Sequence, residues 1–316
     1  MKGTTEHFTW SKKKGDTLPN FLIVGAAKSG TTSLYHYLKQ HPEIFMSPVK
    51  EPNFLSFQFE EFPYHGVDDY KWDARRVKTY QDYCRLFSAS RGKKAIGEAS
   101  VSNLVFSDKV IPFIKELLGD PKIIIMLRNP VERAFSAYLY SVRDNREDLT
   151  FEQSLRKEEE RKKAHWSPFW FHKEGGFYYE RVKAYQENFS KVGVYLYDDL
   201  KNDPAGLLKD IYDFLEVDSS FIPHIKTRHN VSGVPRSRMF NNLLIESNPL
   251  RKILRPTVSF FLGQERYIRL REAIRAKNLR RPRIKEETVA YLKELYREDV
   301  LKLQALLGRD LSHWIR

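Results

Sequence analysis

Residues 21–38 read FLIVGAAKSGTTSLYHYL, and no other stretch restricts the fold of this chain as strongly. FLIVGA is an unbroken apolar run ending on small residues, the pattern of a strand buried on both faces of a parallel sheet. From Ser29 the period becomes helical, with Leu34, Tyr37 and Leu38 at three- and four-residue spacing until Pro42. A buried strand entering a helix through a glycine-bounded loop suits phosphate, because helix N-terminal N–H groups and the helix dipole favour an anion. The common form of such a loop is G-x-x-x-x-G-K-[ST], with lysine on the β- and γ-phosphates and the hydroxyl on magnesium. Here Gly25 and Gly30 keep the spacing, Thr31 and Thr32 follow, and the lysine has moved inside the loop as Lys28. N–H groups from Ser29 through Gly30 to Thr32 are expected to cradle one phosphate, with the threonine hydroxyls as added donors. Lys28 is expected beside that phosphate and its outer substituent, away from any γ-position. A glycine turn that binds nothing would leave KSGTT without a reason.

Other segments extend the alternation. KKAIGEAS (93–100) reads as a second strand, VIPFIKELLG (110–119) as a helix, and PKIIIMLRNP (121–130) as the strongest strand. A helix is expected from Val131, just after Pro130. Residues 150–190 are charged and mostly helical, KVGVYLYDDL is a further strand, and AGLLKDIYDFLEV a further helix. The segment SPVKEPNFLSFQFEEFPYHG reads as loop. The expected fold is α/β: a central parallel β-sheet flanked by helices, a three-layer sandwich of the P-loop nucleotide-kinase type. A polar arm is expected over residues 1–19 and a single domain over 20–316, with a helical C-terminal extension from about 238.

Net charge is +13, much of it in RHNVSGVPRSR and RLREAIRAKNLRRPRIK, which suits an anionic ligand or peripheral contact with an anionic surface. No zinc-finger spacing or RNP-type aromatic motif accompanies it, so nucleic acid is not expected. Cys84 is the single cysteine, which excludes an internal disulfide, and nine dispersed histidines give no metal-ligand spacing. No apolar run reaches the roughly 18 residues of a membrane span, and the opening twenty residues lack a leader's apolar region. A cytoplasmic location is the expectation.

FLIVGAAKSGTTSLYHYLKQHPEIFMSPVKEPNFLSF resembles the 5′-phosphosulfate loop of sulfotransferases that use 3′-phosphoadenosine 5′-phosphosulfate (PAPS), especially their carbohydrate and heparan-type branch. PKIIIMLRNPVERAFSAYLY is similar to that family's 3′-phosphate segment, and KVGVYLYDDLKNDPAGLLKDIYDFLEV follows in family order. The resemblance covers residues 20–240, with a weaker echo in LLGRDLSHWI. It implies PAPS as co-substrate and a hydroxyl-bearing acceptor, whether glycan, lipid or small alcohol. One sulfate on one phosphate leaves no β/γ pair for magnesium to bridge, so no metal is expected. Negative charge grows on the leaving phosphate as the S–O bond breaks, and Lys28 with Thr31, Thr32 and the loop amides would meet it.

The same resemblance makes Arg128 and Ser136 ligands of the 3′-phosphate. Arg128 leaves the strongest strand at its carboxyl end, where open parallel sheets bind ligands and a guanidinium can grip a phosphate through two bonds. Glu51, in VKEPNFLSF, matches the family's catalytic glutamate, with Lys50 beside phosphosulfate or acceptor. A loop carboxylate merely paired with Lys50 remains the alternative. Asn53 departs from the family, which often has histidine there. Glu98 and Ser100 in IGEAS correspond to residues lining acceptor or donor, with Glu98 as a reserve base or a structural carboxylate. Arg236 and Ser237 correspond in order to a late loop closing over the nucleotide. The competing readings are an ATP- and magnesium-dependent phosphotransferase and a non-catalytic anion- or nucleic-acid-binding module. The first lacks lysine after Gly30, and IIIMLRN ends in arginine where a magnesium-binding carboxylate would stand.

Overall fold

A computed structural model describes residues 15–74, 76–225, 233–237, 274, 278–280 and 282–316. Along the chain β1 (Phe21–Gly25) leads to α1 (Thr31–Leu38), β2 (Ile44–Met46), α2 (Phe54–Phe57) and β3 (Ala95–Ala99). Then come α3 (Ser102–Val105), α4 (Ser107–Leu118), β4 (Lys122–Leu127), α5 (Pro130–Arg143), α6 (Phe151–Arg156) and α7 (Glu158–Lys163). The remaining main elements are α8 (Tyr179–Asn188), β5 (Val192–Leu196), α9 (Tyr197–Asn202), α10 (Pro204–Leu215), β6 (Val234–Pro235), β7 (Leu279–Arg280) and α11 (Glu286–Leu307). Two compact units divide the chain. Met1–Phe62, Trp72–Leu127 and Glu180–Lys226 make the first; Pro63–Lys71, Arg128–Tyr179 and Thr227–Arg316 make the second.

The first unit holds a five-stranded sheet in the order β2-β3-β1-β4-β5, with every pairing parallel. Leu22 lies opposite Glu98 on β3 and Ile123 on β4. The chain fills one side of β1 first, with β2 and β3, and then crosses to β4 and β5. The winding therefore reverses at β1, the place where open α/β sheets take ligands. Leu34 and Leu38 of α1, with Leu208, Ile211 and Leu215 of α10, join Ile23, Ile124 and Met126 in one core. On β1, α3 packs with Leu104 against Gly25. Cover on both faces explains the unbroken apolar runs in β1 and β4.

The expected α/β architecture is observed, with local differences. α1 starts at Thr31 because Gly30 sits in the left-handed region at φ 93°. β2 lay within a stretch read as helix stop and loop; three residues carry no periodic signal, and only pairing to β3 makes them a strand. β5 stops at Leu196, and Tyr197–Asn202 is a helix. The helix expected near the C-terminus is α11, whereas residues 1–14 of the arm and 238–273 of the extension lie outside the described residues.

In the second unit α5 opens at a capped start: Asn129 Oδ1 accepts from Val131 N (3.0 Å) and Glu132 N (3.3 Å), with Pro130 at the first position. Phe135 and Tyr138 pack on Phe151 of α6. Buried carboxylates tie the long connections together. Asp69 accepts from Gly66 N, Ser167 N, Ser167 Oγ and Trp170 Nε1 at 2.9–3.0 Å and pairs with Arg146 at 2.9 Å. Asp69→Ala would leave these donors unpaired and take the carboxylate from a largely buried guanidinium that keeps only Val67 O as a hydrogen-bond acceptor among the described residues. The expected loss is about 3–5 kcal/mol in denaturant unfolding; a loss under about 1 kcal/mol would show that water replaces the carboxylate.

Candidate active site

The loop after β1 is fixed on both sides. A Cβ on Gly25 would lie 2.6 Å from Leu104 Cβ, so only glycine fits. Ala26 N–H donates to Met126 O at 2.7 Å, anchoring the loop to β4. Ser29 N–H turns back onto Ala26 O at 3.2 Å, and Lys28 takes φ 68° to allow it. At Gly30 a Cβ would meet Leu200 Cδ2 at 2.8 Å and Tyr197 Cδ2 at 2.9 Å, which adds a steric demand to the left-handed one. No side chain caps α1, so the first-turn N–H groups of Thr31 and Thr32 have no acceptor within the helix. Ser29 N–H was expected in this cradle. It closes the turn, and the group left over is its hydroxyl: Ser29 is fully buried, with no hydrogen-bond partner for Oγ among the described residues. A buried hydroxyl without a partner among the described residues, beside a helix start with no side-chain cap, is what an anionic group would satisfy.

Glu51 sits within the same unit on a second strained turn. Its φ is 60° and that of Asn53 is 52°. Glu51 N–H donates to Ala99 O at 2.9 Å, Oε2 accepts Val101 N at 3.0 Å, and Oε1 pairs with Lys50 Nζ at 2.5 Å. The two side chains stay 24% and 19% exposed, so the carboxylate is held yet reachable. Asn53, where the resemblance broke down, proves to be a hub. Its N–H donates to Ser100 Oγ (3.1 Å), its Nδ2 to Glu51 O (3.0 Å), and its Oδ1 accepts from Ser102 Oγ (2.8 Å). The signal for it was an asparagine two residues after a strand-turning glutamate, since asparagine tolerates positive φ. Ser102 had no such signal.

Glu98 and Ser100 are buried, and their bonds run to each other and inward. Ser100 Oγ donates to Glu98 Oε2 at 2.9 Å, and Asn103 Nδ2 to Oε1 at 3.3 Å. Asn103 O in turn accepts from Tyr185 OH at 2.8 Å. Burial pushes the Glu98 carboxyl up to about 7; the Ser100 bond opposes this and the Glu51 charge adds to it. Lys28, Ser29, Gly30, Thr31, Thr32, Lys50, Glu51, Glu98 and Ser100 thus all belong to the first unit. Among the described residues no three His, Cys, Asp or Glu side chains converge as metal ligands would.

The other four expected residues belong to the second unit. The Arg128 side chain is 7% exposed, and its Nε and Nη2 both donate to Glu132 Oε2, at 3.2 and 2.6 Å. Ser136 is buried one turn after Glu132 on α5. Arg236 and Ser237 follow β6, which packs beside α5, and both are exposed. Their backbones are fixed by Asn278, which accepts from Arg236 N at 2.6 Å and donates Nδ2 to Ser237 O at 3.1 Å. The rest of that basic loop, residues 228–232 and 238, lies outside the described residues.

A family model described as "Sulfotransferase family" matches residues 19–221, well over half of the chain. The chain belongs to the sulfotransferase family. A solved sulfotransferase from Alicyclobacillus acidocaldarius is 34% identical, with a TM-score of 0.75 over 95% of this chain and 100% of that one. Mouse (Mus musculus) carbohydrate sulfotransferase 15 is 32% identical over 171 residues, 44% of this chain and 30% of that protein. Human (Homo sapiens) bifunctional heparan sulfate N-deacetylase/N-sulfotransferase 2 is 36% identical over 132 residues, 41% of this chain and 14% of that protein. The chain thus spans under a third of the curated relatives it matches. The sulfotransferase match contains both the Lys28 loop and Arg128.

Glu98 gives this site a pH signature. Its folded value, about 7, lies above the ordinary 4.5, so the folded chain binds more protons between those pH values and stability falls as pH rises through the window. Glu98→Gln, neutral throughout, is expected to flatten that slope in denaturant midpoints measured from pH 4.5 to 8. Parallel profiles for the two proteins would show that the buried carboxyl is ionised throughout.

Proposed function

We propose that this sulfotransferase-family chain moves a sulfuryl group from PAPS to an acceptor hydroxyl of a carbohydrate. The observation that carries the reading is the loop from Gly25 to Thr32: a helix start without a side-chain cap, a buried Ser29 hydroxyl with no partner among the described residues, and a lysine placed before the second glycine. This arrangement suits one phosphate bearing one substituent. In the proposed reaction the acceptor oxygen forms its bond to sulfur as the bridging S–O bond breaks. The electron pair leaves with adenosine 3′,5′-bisphosphate. Lys28, with Thr31 and Thr32, neutralises that leaving phosphate. Glu51 takes the acceptor's proton, and Lys50, paired to it, keeps the carboxylate oriented. Glu51 suits the role better than Glu98 because only Glu51 retains exposure. Arg128 and Ser136 take the 3′-phosphate, with Arg236 and Ser237 as further contacts. No step in this scheme calls for a metal. The carbohydrate and heparan sulfate named in the two relatives support a glycan acceptor.

Two measurements test the reading. In calorimetry, adenosine 3′,5′-bisphosphate is expected to bind with and without magnesium, and ATP much more weakly; tight binding of ATP only with magnesium would replace sulfuryl by phosphoryl transfer. With labelled PAPS and a glycan panel, Lys28→Ala is expected to lower kcat by about 10²–10³. Glu51→Gln is expected to lower kcat while leaving bisphosphate affinity within about twofold. Unchanged turnover in Lys28→Ala would remove the lysine from the mechanism.

A further inference from the structure

The second unit contains a chain of contacts that ends on the backbone of Arg128. Tyr178 is fully buried and its hydroxyl donates to Arg128 O at 2.9 Å. That carbonyl lies just ahead of α5, outside any helix or strand ladder, so it needs a partner from elsewhere. Tyr178 is itself fixed from the C-terminal helix: Asp299 on α11 accepts Tyr178 N (2.8 Å) through Oδ2 and Tyr179 N (3.1 Å) through Oδ1. Trp314, fully buried, meets the tyrosine ring edge-on at 6.4 Å. The approach is equally constrained. A Cβ at Gly175 would lie 2.5 Å from Arg133 Nη1 and one at Gly176 2.7 Å from the Tyr296 ring, while Tyr296 OH donates to Lys173 O at 2.8 Å. Asp299 and Trp314 lie beyond residue 221, where the family match ends.

We infer that Tyr178, held by Asp299, is a positioning residue that presets Arg128 for an anionic phosphate, so that the C-terminal helix governs phosphate discrimination. This rests on the reading of Arg128 as a 3′-phosphate ligand. Tyr178 touches no reacting atom. It fixes the arginine main chain while Glu132 fixes the fork, and a guanidinium held before binding loses less freedom on gripping a dianion.

The experiment compares affinities for adenosine 3′,5′-bisphosphate and adenosine 5′-monophosphate in the full chain. Tyr178→Phe removes one oxygen and is expected to weaken bisphosphate binding about five- to tenfold while leaving the monophosphate nearly unchanged. KM for PAPS should rise by a similar factor with kcat little altered. Arg128→Ala is the control for the underlying reading: if it leaves the affinity ratio intact, the 3′-phosphate assignment fails. If Arg128→Ala abolishes the ratio but Tyr178→Phe preserves it, or weakens both ligands equally, the positioning role is overturned. Should Tyr178→Phe fail to fold, Asp299→Asn, which replaces one acceptor oxygen by an amide, is judged by the same ratio.

Discussion

A parallel strand that must stop, turn and become a helix within five residues is the constraint on which the candidate site depends. β1 is central, so its carboxyl end cannot drift: Ser100 N–H donates to Ile23 O on one side and Ala26 N–H to Met126 O on the other. Between those anchors the chain has room for one path. Leu104 excludes a side chain at residue 25, and Leu200 with Tyr197 excludes one at residue 30. The result is a helix start at Thr31 with no side-chain cap. On the proposed reading, the loop owes its capacity to bind an anion to packing against α3 and α9, and the lysine adds charge to a cradle formed by backbone.

Two carboxylates in the same unit show how burial separates chemical roles. Glu98 and Glu51 are linked through Ser100 and Asn53, yet one is fully buried, with its carboxyl pushed up to about 7, and the other is partly exposed beside a lysine. A neutral Glu98 can sit in the core without a cation. Were both ionised, their repulsion would act through a small hydrogen-bonded cluster with Lys50 as the nearby positive charge. The strained backbone at Glu51 and Asn53 is held by that cluster: each left-handed residue is tied by its own N–H to Ala99 O or Ser100 Oγ.

What the sequence disclosed follows from the range of each signal. β1 and β4 were legible because cover on both faces demands uninterrupted apolar runs, and α1 because its period changes at a glycine. β2 was not legible, since three residues gain strand character only from β3. The turn bounded by Gly25 and Gly30 was readable, because glycine spacing is a local steric matter. Asn53, Ser102 and Tyr178 were not assigned, since their roles depend on partners distant in sequence: Ser100 lies 47 residues from Asn53, and Arg128 lies 50 from Tyr178. The burial of Glu98 was equally hidden, because an acidic residue at a strand end reads the same whether it faces water or a cluster of serines and asparagines.

On the proposed reading, the Arg128–Glu132 pair keeps a phosphate grip ready at the start of α5. Arg128 is almost wholly withdrawn from water, and a withdrawn cation without a partner is costly. Glu132 supplies one from four residues ahead, but it remains 52% exposed and gives the guanidinium two donor contacts to a single oxygen. An exposed carboxylate is cheap to displace, because water takes over its lone pairs. A phosphate dianion brings more charge and more acceptor oxygens to the same fork. On the proposed reading, Glu132 therefore acts as a weak internal stand-in that shapes the arginine without competing strongly for it. The tighter hold is kept for the main chain, where Tyr178 hydrogen-bonds a carbonyl that ligand binding need not disturb.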